Sequence, residues 1–167
     1  MNTQFTNTST KKPTVTPAAS QDCWQAWFDG SALPNPGKIG IGAVVLAPDG
    51  RRFETSAQTG LHGCNNQAEL HALCAALELA HNAGAKRLLL RGDSDVAIRY
   101  VNGPDSTEIA ALQILVKQAR EWLSRFEEVQ LRWLPRHRNG EADHLCRHAL
   151  DLPDKPAGMA RKKGRRR

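Results

Sequence analysis

The order of the apolar segments restricts the fold of this chain more than any other feature of its sequence. Three short segments with strand character come first, at 24–28, 39–47 and 51–59. Short links join them, and Pro48-Asp49-Gly50 is a turn signal between the second and the third. Strands with such short links run in opposite directions, so this half of the chain predicts an antiparallel meander.

The second half of the chain alternates between strand and helix patterns. Two apolar segments are typical of strands, at 87–92 and 129–135. Apolar residues at helical spacing predict four helices, at 65–84, 94–103, 106–126 and 140–151. Strands separated by helices favour parallel pairing.

Polar residues and glycines indicate where the helices begin and end. Asn66 is the predicted N-cap of the first helix, with Glu69 as its partner in a capping box. Gly84 is the expected stop of that helix. Ser106 or Thr107 is expected near the cap of the third helix.

The resulting order, β-β-β-α-β-α-α-β-α, predicts an α/β fold. We expect a five-stranded mixed sheet in which strands 1–3 are antiparallel, strands 4 and 5 run parallel to strand 1, and helices cover both faces. Ligands of open α/β sheets gather at the carboxyl ends of parallel strands. Residues that follow strands 1 and 4 are therefore the first candidates for a functional site.

Composition divides the chain into one domain and two tails. Residues 1–22 are rich in Thr, Ser, Asn and Gln, which predicts disorder, and residues 23–152 form the predicted domain. Residues 153–167 form a predicted flexible tail with six basic groups at its end: Arg161, Lys162, Lys163, Arg165, Arg166 and Arg167. Without these six the net charge of +6 would fall to about zero. A cationic tail favours nucleic acid as a partner, and a solvated tail that aids solubility is the alternative.

The sequence also restricts where the protein is expected to act. No apolar run approaches the roughly 18 to 20 residues that a membrane span needs. The N-terminus has no apolar segment of the signal-peptide type. We therefore expect a cytoplasmic protein with no membrane partner.

Four carboxylates stand at the boundaries of predicted elements. Asp29 closes the first predicted strand, and Asp93 closes the fourth. Glu69 and Asp143 fall in the first turns of the first and last helices. If strands 1 and 4 are parallel neighbours, all four acids converge at one end of the sheet. Taken singly, Asp29 could be a solvated turn residue, and Glu69 and Asp143 could be acids favoured at helix N-termini.

Convergence of four acids points to a cation. Like charges brought together cost several kcal/mol unless a positive charge compensates them. Hard carboxylate oxygens favour Mg²⁺ or Mn²⁺. The set predicts a pair of Mg²⁺ ions roughly 4 Å apart, with Mn²⁺ as a possible substitute, which is an arrangement for phosphoryl transfer.

Four motifs in order, "DGSALPNPGKIGIGAV", "NNQAEL", "GDSDVAI" and "LPRHRNGEADHLCRHAL", resemble type 1 ribonuclease H in its compact form without the basic protrusion. The resemblance covers residues 24 to about 151. It implies a ribonuclease H-like fold and a monomeric, metal-dependent endonuclease. Such an enzyme cleaves the RNA strand of RNA/DNA hybrids and leaves 5′-phosphate and 3′-hydroxyl ends.

The resemblance also assigns roles to residues. It implies that Asp29 bridges both ions, that Glu69 and Asp93 surround the leaving-group ion, and that Asp143 lies beside the ion that activates water. The implied substrate contacts are Gly30, Ser31, Asn35, Asn65, Asn66 and Gln67. The three consecutive amides would touch the RNA minor groove, where helix capping is their alternative role, and Asn35 would touch the DNA strand.

Departures from the family pattern leave some roles open. His137 stands only six residues before Asp143, and it is either an aid to water activation or product release, or a surface residue. Asp95 takes the place of a glutamine that contacts substrate in some relatives. Arg136 and Asn139 fit the compact loop and are expected to hold it. The basic tail is expected to replace part of the missing protrusion.

Two other functions compete with the hybrid ribonuclease. One is a catalytically silent module that binds hybrids, although the presence of all four acids argues against it. The other is a different nuclease on the same scaffold, such as a transposase-like or structure-specific DNA nuclease. The "NNQAEL" segment and the small size of the chain favour the ribonuclease.

Overall fold

A computed structural model of the chain describes residues 21–156. Its strands are β1 (Cys23–Leu33), β2 (Gly37–Leu46), β3 (Arg52–Gly63), β4 (Arg87–Gly92) and β5 (Glu128–Trp133). Its α-helices are α1 (Asn65–Ala83), α2 (Asp95–Asn102), α3 (Ala110–Leu123) and α4 (Gly140–Ala149), and a 3-10 turn covers Arg136–Arg138. The outer parts of both predicted tails, including the six basic groups, lie outside the described residues. Within residues 21–156, no helix is long and apolar enough to cross a membrane.

The sheet has the predicted topology. Its five strands lie in the order β3-β2-β1-β4-β5. β1 and β3 pair antiparallel with β2, whereas β4 pairs parallel with β1 and with β5. The predicted five-stranded mixed sheet of an α/β fold is therefore confirmed.

Helices pack on both faces of this sheet, and two glycines in the strands let them approach. A Cβ at Gly30 would overlap the backbone of Ala68 in α1. A Cβ at Gly42 would overlap the backbone of Ala142 in α4. Because Gly30 and Gly42 point to opposite faces, α1 and α4 cover opposite sides of the sheet.

β1 is longer than predicted, and this corrects the placement of Asp29. The strand continues to Leu33 because it pairs with β2 as far as the Leu33–Lys38 register. Its pairing with β4 ends earlier, at Phe28 and Gly92. Asp29 therefore does not close β1. It is the first residue of β1 beyond the end of β4, and this is why it still lies at the parallel edge.

The start of α1 also differs from the prediction. The N-cap is Cys64, and its amide donates to Oε1 of Gln67 at 2.9 Å. The predicted cap at Asn66 with Glu69 as its partner is therefore wrong. Because the helix begins earlier, Glu69 lies in the second turn, free of any capping role. Gly84 ends the helix as predicted, with φ of 105°.

Other elements also begin or end away from the predicted bounds, among them α3, β3 and β5. α3 begins at Ala110 because the Thr107 hydroxyl accepts from the Ile109 amide and holds the preceding segment outside the helix. β3 extends to Gly63 because its pairing with β2 continues to the Gly37–Gly63 register. β5 ends at Trp133, two residues before the predicted end.

Candidate active site

Three carboxylates meet at the edge of the sheet where β4 ends. Asp29, Glu69 and Asp93 each offer an oxygen atom, and these atoms lie within 4.8 Å of one another. We call these three residues the carboxylate cluster. Asp29 and Glu69 are 7% and 8% exposed, so the charges are largely withdrawn from water.

The elements that carry the cluster explain its geometry. Asp93 directly follows β4, so its side chain emerges beside Asp29 of the neighbouring strand. The missing side chain at Gly30 lets α1 press against β1, and this brings Glu69 next to Asp29. The Gly30 amide donates a hydrogen bond to the Glu69 carboxylate. One glycine thus sets the distance between the strand and the helix.

A buried asparagine holds Asp93 in place. The Asn139 side chain is 1% exposed, and its Nδ2 donates to the Phe28 carbonyl at 2.9 Å and to Asp93 Oδ2 at 3.0 Å. The Trp133 indole donates to the Asp93 carbonyl at 3.2 Å. Arg136 stands farther away, with its Nε 4.0 Å from Asp93 Oδ1. Asn139 therefore ties β1, Asp93 and the start of α4 together.

We expect Asn139→Ala to destabilise the protein by about 1–3 kcal/mol, because it leaves the buried Phe28 carbonyl without a donor. Thermal or urea unfolding measures this difference. Asn102→Ala is the matched control: it also removes one bond from an asparagine to a strand carbonyl, that of Leu131, but Asn102 itself is exposed. Equal losses in the two variants would contradict the special role of Asn139.

Burial and mutual repulsion raise the pKa values of Asp29 and Glu69. The pKa of Asp29 rises to about 7, first through burial and then through the charges of Asp93 and Asp143. The pKa of Glu69 rises well above its ordinary range, first through burial and then through Asp29 and Asp93. Glu69 Oε2 is buried and has no hydrogen-bond partner within residues 21–156. An oxygen-rich site with an unsatisfied anionic atom fits a hard divalent cation.

The fourth predicted acid lies near the cluster but outside it. Asp143 is in the first turn of α4, as predicted, and lines the same cavity as Asp29 and Glu69. It does not belong to the group within 4.8 Å. Its Oδ1 accepts instead from Nζ of Lys155 at 2.7 Å. The structure thus brings three of the four acids together and gives the fourth a cationic partner from the chain itself.

The segment after α4 places Lys155 over the cavity. Arg147 donates to the Pro153 carbonyl through Nε at 3.1 Å and through Nη2 at 2.6 Å. Nδ1 of His144 lies 2.8 Å from Asp154 Oδ1. These contacts fold residues 152–155 back onto α4. No sequence pattern predicts this ion pair, because it depends on the path of the chain after the helix.

The predicted substrate residues surround the same edge. Gly30, Ser31 and Asn65 line the cavity with the carboxylates. Asn65 Oδ1 accepts from the Ala32 amide at 2.9 Å, and the Asn65 amide donates to Asn35 Oδ1 at 3.1 Å. These bonds tie the loop after β1 to the start of α1.

The amide residues divide between structural and exposed positions. Gln67 caps α1 through its Oε1. Asn66 is exposed beside it. His137 is exposed within the 3-10 turn and is not part of the carboxylate cluster. Asp95 is exposed and pairs with Arg99 at 3.1 Å. Trp133 is 54% exposed.

Comparison with known proteins agrees with this geometry. A model of the reverse transcriptase-like family matches residues 27–149. Ribonuclease HI of Halobacterium salinarum is 37% identical over 126 residues, which are 75% of this chain and 63% of that protein. A bifunctional protein of Mycobacterium tuberculosis is 32% identical over 124 residues, which are 74% of this chain and 34% of that protein. The chain thus spans less than two thirds of the length of these relatives.

Solved structures share the fold. Ribonuclease H1 of H. salinarum superposes with a TM-score of 0.73 at 37% identity, covering 77% of this chain and 98% of that one. The N-terminal ribonuclease H domain of the M. tuberculosis protein gives 0.73 at 32% identity, covering 78% and 94%. LC11 ribonuclease H1 in complex with an RNA/DNA hybrid gives 0.69 at 29% identity, covering 77% and 96%. Sequence and fold therefore agree that the chain belongs to the reverse transcriptase-like family and, within it, to the type 1 ribonucleases H.

Proposed function

We propose that this chain is an endoribonuclease that hydrolyses the RNA strand of RNA/DNA hybrids with divalent cations. The carboxylate cluster carries the proposal, because three acids lie within 4.8 Å and Glu69 Oε2 has no hydrogen-bond partner among the described residues. Resemblance to a ribonuclease HI and to ribonuclease H structures supports the same reaction. The hybrid is the ligand of the LC11 enzyme, and we extend it to this chain as the substrate.

The cluster would hold the cations, and Asp143 would join it from α4. Mg²⁺ suits the all-oxygen donor set, and Mn²⁺ is the expected substitute. Bound in this way, a pair of ions would supply hydroxide at neutral pH and would offset the charge on the scissile phosphate. We assign Asp29 to both ions, Glu69 and Asp93 to the leaving-group side, and Asp143 to the side of the attacking water.

The protein's own residues fix the positions of these groups. Asn139 fixes one oxygen of Asp93, and the Gly30 amide fixes the Glu69 carboxylate. Burial of the cluster strengthens its field on a phosphate, because charges interact more strongly away from water. Attack by water at phosphorus, with departure of the 3′-oxygen, gives 5′-phosphate and 3′-hydroxyl ends. His137 is a candidate for aiding the activation of the water or the release of product.

Substrate choice would depend on the 2′-hydroxyl, which distinguishes RNA from DNA. Amide side chains both donate to and accept from a hydroxyl. We assign this role to Asn65, Asn66 and Gln67. The side-chain oxygens of Asn65 and Gln67 already accept structural hydrogen bonds, so their side-chain NH₂ groups are the donors that remain for the hydroxyl. Asn35 would meet the DNA strand, and Gly30 and Ser31 would let the substrate backbone approach.

A substrate panel tests the proposal against its alternatives. Labelled RNA/DNA hybrid, double-stranded RNA and double-stranded DNA are each incubated with the wild-type protein in Mg²⁺ or in EDTA. We expect cleavage of the hybrid alone, and in Mg²⁺ alone. Cleavage of double-stranded DNA would favour a DNA nuclease. Binding of the hybrid without cleavage would favour a silent binding module.

We expect Lys155→Ala to raise the affinity for Mn²⁺ by up to about fivefold, because the Lys155 ammonium competes for Asp143 and exposed ion pairs contribute up to about 1 kcal/mol. Isothermal titration calorimetry of the metal into the nucleic-acid-free protein measures the change. Lys117→Ala, at an exposed position of α3, removes the same charge far from Asp143 and is the control. Unchanged or weaker Mn²⁺ binding by Lys155→Ala would contradict this competition.

A further inference from the structure

A row of three residues crosses the sheet next to the carboxylate cluster. Trp27 of β1 is the register partner of Arg91 in β4, and Arg91 is the register partner of Arg132 in β5. Register partners on neighbouring strands point to the same face of a sheet. We call Trp27, Arg91 and Arg132 the arginine row.

The row lies on the α4 side of the sheet. Asp29 pairs with Gly42, and Gly42 lies against α4. Trp27 precedes Asp29 by two residues, so both side chains point to this face. α4 packs over β1, β2 and β3, and Arg132, on the edge strand β5, is exposed. Trp27 therefore lies at the end of the row beside α4, and Arg132 lies at the end that is exposed to solvent.

Contacts hold the Arg91 side chain in place, and no carboxylate of the described residues neutralises either arginine of the row. Nη1 of Arg91 donates to Gln25 Oε1 at 2.9 Å, and its guanidinium lies 5.4 Å from the centre of the Trp27 ring. Neither Arg91 nor Arg132 forms an ion pair with a carboxylate within residues 21–156. Burial, and then the charge of Arg132, lower the pKa of Arg91. Two neighbouring guanidiniums without a counter-charge make this face suited to an anion.

The position of the row selects the kind of anion. Asp29 follows Trp27 by two residues, and Asp93 follows Arg91 by two residues, so the row lies about 7 Å from the cluster along the strands. Phosphates repeat about every 3.4 Å of axis along each nucleic-acid strand, so a strand that is cut at the cluster carries further phosphates within this distance. Arg138 lines the same surface hollow as Trp27 and adds a third positive charge. Planar guanidiniums bind phosphate through two hydrogen bonds.

We propose that the arginine row binds the phosphodiester backbone of the hybrid beside the scissile phosphate. The inference rests on the proposed function, because it takes the bound nucleic acid to pass over the carboxylate cluster. The Trp27 ring and Gln25 Oε1 support the Arg91 guanidinium, whose other N–H groups would donate to the phosphate. Arg132 offers a second contact one strand farther from the cluster.

Binding of a fluorescent 20-base-pair hybrid, followed by anisotropy over a range of salt concentrations, tests the row. Asp93→Asn serves as the background so that the hybrid stays intact. We expect Arg91→Gln with Arg132→Gln to weaken binding by about tenfold at 0.05–0.2 M salt and to reduce the slope of log K against log salt by about 1.8, for two lost phosphate contacts. Arg132→Gln alone, at an exposed position, should give about half of the change in slope without any risk to folding.

The control removes two positive charges from the other side of the molecule. Lys117→Gln with Arg125→Gln, in and after α3, lowers the net charge equally without touching the row. If the row variants bind the hybrid as the control does, the inference is wrong. If the row instead binds poly-glutamate and not the hybrid, an acidic protein is the partner and the inference is again wrong.

Parallel cleavage assays separate this inference from the proposed function. If the wild-type protein cleaves the hybrid while the row variants bind as the control does, only the row is rejected. If the wild-type protein cleaves nothing while the row variants still lose hybrid binding, only the proposed function is rejected.

Discussion

We expect Asp29→Asn to abolish the proposed hybrid cleavage, with kcat lowered by at least about a thousandfold. Asp29 is buried within 4.8 Å of both other acids of the cluster, so its charge acts on every ion or phosphate that binds there. Asparagine has nearly the same shape but no charge, so the fold is retained. Rates of cleavage of a labelled hybrid in Mg²⁺ measure the loss.

The same substitution stabilises the metal-free protein, and this separates loss of function from loss of fold. Removing one of three crowded acids relieves repulsion and the cost of burying a charge. We expect the melting temperature of Asp29→Asn in EDTA at pH 8 to rise by about 5 °C or more. Asp151→Asn is the control, because Asp151 is exposed with φ of 55°, a conformation that asparagine tolerates. A lower melting temperature for Asp29→Asn, or full activity, would contradict the assignment.

The stability of the metal-free protein falls as the pH rises from about 4 to about 7. The pKa of Asp29 is about 7 in the folded state against an ordinary value of 3.8, so the folded state binds the extra proton in this interval. Stability decreases with pH wherever the folded state binds more protons than the unfolded state. The difference between these two pKa values corresponds to a loss of up to about 4 kcal/mol. Glu69, whose pKa is also raised, acts in the same direction.

Urea unfolding in EDTA at several pH values measures this dependence. The loss above pH 4 should be smaller in Asp29→Asn and should be offset by Mg²⁺, because a bound cation favours the charged carboxylates. Stability that is flat or rises between pH 4 and pH 7 in EDTA would contradict the raised pKa values. A slope that Mg²⁺ leaves unchanged would contradict the cation site.

The sequence predicted those features that depend on local pattern. The turn after β2 and the stop at Gly84 depend on residues close in sequence, and both hold in the structure. Asp93 directly follows a short apolar strand, so the strand pattern alone predicted its position at the edge of the sheet. The parallel pairing of β1 with β4 followed from the alternation of strands and helices.

Features that depend on tertiary contacts were wrong or missing. The pairing of β1 with β2 continues beyond β4, so Asp29 lies inside a strand rather than at its end. The cap of α1 is a local feature that was also misplaced: Gln67, not Glu69, completes it, which leaves the glutamate for the cluster. Lys155 reaches Asp143 only because the chain folds back after α4. No spacing pattern could predict that contact.

The ends of the RNA fragments test the central claim most directly. A hybrid with labelled RNA is cleaved in Mg²⁺, and the fragment ends are identified by mass spectrometry. Attack by water at a phosphate held beside Asp29, Glu69 and Asp93 gives 5′-phosphate and 3′-hydroxyl ends, with no cleavage by Asp93→Asn or in EDTA. Fragments that end in a 2′,3′-cyclic phosphate, or cleavage that persists in EDTA, would show that the carboxylate cluster does not perform the reaction.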